Sequence, residues 1–124
     1  MIPFDVMLPS AGQGTIVVEA RRDDRRALRL LAAVSHPDLA LASGLERQVL
    51  AELGAGCHGA VGVLARVRRD DVLLRAVVAA PDGSALIRAR ARSPREATAR
   101  AVRDVLKQLR AAGANELIGS SRAE

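Results

Sequence analysis

Three short runs of alternating side chains, joined by turns too tight for anything but an antiparallel return, set the strongest constraint, over residues 61–92. Val61, Val63, Ala65 and Val67 alternate with Gly62, Leu64, Arg66 and Arg68. A period of two sends successive side chains to opposite faces of a strand. Arg69-Asp70-Asp71 turns the chain into residues 72–80, with Val72, Leu74, Ala76 and Val78 on one face. Ala80-Pro81-Asp82-Gly83 has proline second and glycine fourth, as a type I turn favours. In the third run Ala85, Ile87, Ala89 and Ala91 point inward and Arg88, Arg90 and Arg92 outward. Strands connected this briefly are antiparallel neighbours, so a three-stranded meander is expected.

Helices bracket the meander. Ser35-His36-Pro37-Asp38 offers a serine cap and an acid three residues on that can reach back. The helix it opens should run to about residue 53 and bury Ala42, Leu45, Val49, Leu50 and Leu53. Gly44 inside it costs roughly 1 kcal/mol against alanine, so a close helix approach is expected there. Ser93-Pro94-Arg95-Glu96 is a second capping box, with proline at the first helical position. Its helix presents Ala101, Val102, Val105, Leu106, Leu109 and Ala112 to a core, and Gly113 is a suitable stop. Beyond it only Leu117 and Ile118 can dock before the end frays. A three-stranded antiparallel sheet covered by helices on one face is an α+β layer.

The front of the chain does not join this pattern. Residues 1–11, with Pro3 and Pro9, read as an extended connection. Thr15-Ile16-Val17-Val18-Glu19-Ala20 reads as a short β-branched strand. Asp23 and Asp24 then open a helix to about residue 34, with Leu28, Leu31 and Ala32 as its buried face and Arg22, Arg25, Arg26 and Arg29 around the rest. Nothing pairs this strand and helix with the meander. Residues 1–34 are expected to be orphan elements of a domain whose bulk is absent, and residues 35–124 the α+β domain.

A chain of 124 residues is one small domain, or one domain and a strip of another. Its apolar content is 49% but its aromatic content only 1%, so the core must be aliphatic. One cysteine cannot form an internal disulfide and gives no argument for secretion. No apolar run approaches the ~20 residues that span a bilayer, and no signal segment follows Met1. A cytoplasmic protein without membrane contact is the expectation. The net charge of +5 points to anionic partners. Single-strand nucleic-acid binders stack bases on aromatics, which this chain all but lacks, so nucleic acid is not the expected partner.

Two local patterns fail as sites. Gly12-Gln13-Gly14 is followed by Val17 rather than a third glycine and precedes a strand, so it is not a dinucleotide loop. Cys57 and His58 are adjacent, with His36 the one further soft ligand, so no metal is expected. The sulfur itself is framed unusually: residues 53–62 hold four glycines around Cys57. Such a frame either turns the chain around a cysteine that fills a small hole, or leaves room for something bulky beside the backbone. Cys57 follows a helix C-terminus, whose negative end disfavours a thiolate, and His58 as its neighbour would point away. A covalent anchor suits it better than a turnover nucleophile. The Arg88, Arg90, Arg92 row could hold anions or simply be solvated.

Taken together, these stretches resemble the C-terminal part of the porphobilinogen deaminase (hydroxymethylbilane synthase) family. Leu8-Pro9-Ser10-Ala11-Gly12-Gln13-Gly14 through Glu19-Ala20-Arg21 is similar to its L-P-A-x-G-Q-G strand motif. Ser35-His36, Leu45-Glu46-Arg47 and Leu53-Gly54-Ala55-Gly56-Cys57 resemble its N-H…A-E-R…L-x-G-G-C run. Arg75-Ala76-Val77-Val78-Ala79-Ala80-Pro81-Asp82-Gly83-Ser84 resembles the hairpin that follows, and Gly113-Ala114-Asn115-Glu116-Leu117 the G-A-x-x-L ending. Ala55 stands where the family has glycine, and Ala60 where it usually has proline.

The resemblance implies that Cys57 carries a dipyrromethane cofactor through a thioether, on which porphobilinogen units are polymerised in tetrapyrrole and heme biosynthesis. It places Gln13 near the substrate. It assigns no catalytic residue to this chain: the catalytic aspartate, and most arginines that hold acetate and propionate groups, lie in the missing domains. Residues up to about 34 are then the strand and helix returning to the first domain. The expected partners are those domains and porphobilinogen-derived pyrroles, and the chain alone is expected to be inactive. The alternative is a non-enzymatic remnant, a binding or assembly module of the same fold.

Overall fold

The alternation over residues 61–92 becomes a three-stranded antiparallel sheet in the computed structural model, which describes residues 2–56 and 59–120. Its strands are β1 (Val61–Val67), β2 (Asp71–Ala79) and β3 (Leu86–Pro94), in spatial order β1-β2-β3. Two helices precede them, α1 (Arg25–Val34) and α2 (Pro37–Leu53). A 3₁₀ turn (Arg95–Ala97), α3 (Thr98–Ala111) and α4 (Ala114–Ser120) follow.

Register explains the packing. Ala65, Leu74 and Ala91 lie in one row across the sheet, and Val63, Ala76 and Ala89 in the next. Alanines flank the large Leu74, so helix side chains can settle beside it without collision. Leu45, Val49 and Leu53 of α2 and Ala101, Val102, Val105, Leu106 and Leu109 of α3 complete the aliphatic core. α2 lies against β1, and α3 crosses β3 and β2. Each fully buried leucine or valine contributes about 1.5–3 kcal/mol by leaving water. Phe4, the lone aromatic, is exposed. The fold is α+β, with helices on one face of the sheet.

Both capping boxes are displaced. The N-cap of α2 is His36, whose Nδ1 accepts the Leu39 N–H at 3.4 Å, while Ser35 closes α1. Asp38 does not reach back but pairs with Arg95. Ser93 and Pro94 stay in β3, opposite Val72 and Asp71, because the ladder extends through them. α3 begins after the 3₁₀ turn with no side-chain cap. Gly44 has no close neighbour: a Cβ built there meets nothing within 4 Å, contrary to the expected helix approach. Residues 114–120 do not fray but form α4, whose Ala114 and Ile118 are buried.

The front differs more. Asp24 caps α1, accepting from Arg26 and Ala27 N–H groups at 3.1 and 2.9 Å, as the acid placement predicts. Yet no residue of α1 is buried: of the expected face, Leu28 and Ala32 are exposed and Leu31 is half-buried. Residues 15–20 form no strand, and Ile16 is 91% exposed. A strand needs an open edge, and part of each described edge already has a partner. On β1 the Val63 N–H donates to Pro9 O and the Ala65 N–H to Glu46. On β3 the Gln108 carboxamide pairs with both the N–H and the carbonyl of Arg90.

Candidate functional site

The loop that carries the cysteine is built from both ends inward. α2 stops at Gly54, whose φ of +63° belongs to the left-handed region that glycine reaches at no steric cost. Ala55 then turns into the core and is buried. Gly59, on the return, lies against it: a Cβ at Gly59 would stand 2.8 Å from both the Ala55 side chain and its carbonyl oxygen. The Ala60 carbonyl accepts the Ala79 N–H at 2.9 Å, carrying the sheet ladder one residue beyond β1. Ala55 is therefore held in the core on one side of the loop, and Ala60 on the ladder on the other. Cys57 and His58 themselves lie outside the described residues.

The glycines do different jobs. Gly56 (φ +61°) faces open space, since a Cβ there meets nothing within 4 Å. Gly62, by contrast, is buried under the incoming chain: its Cβ would meet Leu8 O at 2.9 Å and Val77 Cγ1 at 3.0 Å. Gly56 leaves open space at its own position, and Gly62 makes way for Leu8. No described residue other than glycine has positive φ, so Ala55 sits in ordinary backbone, and Ala60 keeps its ladder bond. Neither departure from the family pattern strains the backbone at its own position.

The segment with Gln13 follows the outer edge of β1. Leu8 rests on Gly62, Pro9 O accepts the Val63 N–H at 2.9 Å, and the Gly12 N–H donates to Glu46 Oε2 at 2.8 Å. Glu46 Oε1 accepts the Ala65 N–H, also at 2.8 Å. Gln13 closes its own turn, its Oε1 accepting the Ser10 N–H at 3.1 Å, and is exposed. Successive contacts at Gly62, Val63 and Ala65 take residues 8–12 away from the first residue of β1. None of these contacts joins Gln13 to the loop 54–60.

Glu46 is the site residue that sequence reasoning missed. It is buried, and it sits four residues after Ala42 and three before Val49, on the stripe of α2 that faces the core. An acid on a buried stripe was the available signal, because burying a carboxylate requires partners for it.

The arginines of the other sheet face are largely occupied. Arg75 pairs with Asp5 at 2.8 Å, Arg92 with Asp71 at 3.2 Å, and Arg66 lies 5.2 Å from the Phe4 ring centroid. Arg88 reaches the carbonyls of Asp5 and Val6, each at 3.4 Å. Residues 4–8 thus strap the face, leaving a cleft of about 410 Å³ among Phe4, Leu8, Arg88 and Gln108. Among the described residues no group of three His, Cys, Asp or Glu side chains could hold a metal, and no helix is long and apolar enough to cross a membrane.

The family model described as porphobilinogen deaminase, C-terminal domain, matches residues 40–111, which take in most of α2, the cysteine loop, the sheet and α3. A porphobilinogen deaminase of Desulforamulus reducens is 36% identical over 123 residues, 99% of this chain and 40% of that protein. One from Moorella thermoacetica is 37% identical over 123 residues, 99% of this chain and 39% of that protein. One from Pelotomaculum thermopropionicum is 46% identical over 88 residues, 71% of this chain and 28% of that protein. The chain spans about 40% of the length of the two relatives it matches end to end. With more than half of its residues matched by that family model, and α2, sheet and α3 packed as one layer within the match, the chain belongs to the porphobilinogen deaminase family.

Proposed function

We propose that this chain is the cofactor-anchoring C-terminal portion of a cytoplasmic porphobilinogen deaminase, which polymerises porphobilinogen only together with the rest of such an enzyme. Cys57 is the anchor, joined to dipyrromethane through a thioether. The observation that carries the reading is the loop 54–60, held by Ala55 and Ala60 and open at Gly56, inside the stretch that the family model matches. The described residues fit the group: Ala55 and Ala60 are held on either side, and open space at Gly56 admits rings beside the backbone.

When bound, dipyrromethane supplies the primer on which pyrrole units are joined. The chain's own part is to hold it. A thioether sulfur resists hydrolysis and thiol exchange, so the tether survives repeated turnover. Gln13 spends its Oε1 on Ser10, which leaves the Nε2 hydrogens to donate to a carboxylate of the pyrrole chain. Residues 1–34 return to the first domain, where residues 15–20 would find the strand partner they lack here. Their exposed Ile16, Val17 and Val18, and an α1 with nothing buried, support a docking role.

A chimera tests this. The chain replaces the matched C-terminal 39% of the Moorella thermoacetica enzyme. The chimera is expected to release hydroxymethylbilane from porphobilinogen, and the chain alone to release none. A folded chimera without activity, or an active isolated chain, contradicts the reading.

A further inference from the structure

Glu46 is a buried acid held by backbone donors. It is 7% exposed, and among the described residues it makes no ion pair. Its partners are two backbone donors, Gly12 N–H on Oε2 and Ala65 N–H on Oε1. Both donors need an acceptor, and a carboxylate offers one on each oxygen. A carboxamide offers one acceptor and turns its own N–H toward the other donor. Charge-assisted bonds of this kind are about twice as strong as neutral ones. The other attachments of the segment lie before Gly12: Leu8 on Gly62, Pro9 O on the Val63 N–H, and Ala11 packed against the core. The Ser10–Gln13 bonds fix its shape but not its place, and residues 15–20 beyond it take no regular structure.

We propose that Glu46 is a positioning residue: by fastening Gly12 to the β1 edge it sets where the Gln13 carboxamide stands toward the pyrrole chain. This rests on the reading of Gln13 as a pyrrole-binding residue. Two measurements keep the geometry and that reading apart. In the 124-residue chain, Glu46→Gln is expected to speed hydrogen exchange at the Gly12 amide by roughly tenfold, while Leu74 and Ala76 amides keep their protection. Unchanged exchange at Gly12, or loss spread evenly over the sheet, overturns the proposal.

In the chimera, Glu46→Gln and Gln13→Ala are each expected to lower kcat by about tenfold, the scale of a small misplacement near reacting groups. The double variant should be no slower than the slower single variant, because one residue acts through the other. Effects that multiply overturn the proposal. A Gln13→Ala variant with unchanged kcat and KM overturns it through its premise, and intact loosening at Gly12 would mark that as the failed step.

Discussion

Gly59 touches Ala55 across the cysteine loop so closely that an added methyl group would stand 2.8 Å from both the Ala55 side chain and its backbone oxygen. Backbone cannot yield as a flexible side chain can, so the loop must open to admit even one carbon. Gly59→Ala is expected to destabilise the chain by about 1–3 kcal/mol, the usual cost of overpacking. Denaturant unfolding measures this, and a midpoint unchanged from the parent chain contradicts the contact.

Gly44 should behave in the opposite way. It lies inside α2 with open space around its missing side chain. Gly44→Ala is expected to stabilise the chain by up to about 1 kcal/mol through helix propensity alone. A loss of stability would mean that the helix approach read from the sequence does exist.

The meander was legible because two signals agreed: a period of two, and turns that left no room for a crossover. The apolar stripe of α3 was legible for the same kind of reason. The caps were misread because Ser93 and Pro94 fit a local motif, yet ladder pairing with Val72 and Asp71 holds them in β3. Residues 15–20 have the composition of a strand, but Pro9, Glu46 and Gln108 already occupy edge groups of the described sheet. Of the cysteine site, the sequence revealed the glycine frame but not its division of labour. That Gly62 yields to Leu8 depends on a contact 54 positions distant, between residues 8 and 62, which no local pattern encodes. Glu46 read as one letter of a motif rather than as the fastener of the Gly12 loop.

Exposed apolar side chains at Ile16, Val17 and Val18 make no use of the described core. Replacing all three by serine is expected to change the unfolding free energy of the isolated chain by no more than about 0.5 kcal/mol. The same change in the chimera should abolish activity, since these side chains would then have a surface to cover. Sedimentation is expected to show less self-association of the substituted chain. A large drop in the isolated chain's stability would mean that the segment packs on its own domain.

Asp82 carries a small pH signature. The Ser84 hydroxyl at 2.7 Å, and then the Ser84 N–H at 3.0 Å, donate to its Oδ1 and hold its carboxyl below the usual range. The sign follows from which form is favoured. The turn's stabilisation is present above the ordinary carboxylate range and is lost as pH falls through the lowered folded value. Ser84→Ala is expected to move the Asp82 titration upward when followed by NMR. No movement would show that the hydroxyl does not set it.

The proposed role depends on a covalent bond at one sulfur, and the mass of the chimera reads that bond directly. Intact-mass measurement with peptide mapping is expected to find dipyrromethane attached at Cys57, and to find the added mass gone in Cys57→Ser. A folded chimera with an unmodified Cys57, or a serine variant that keeps the added mass, contradicts it.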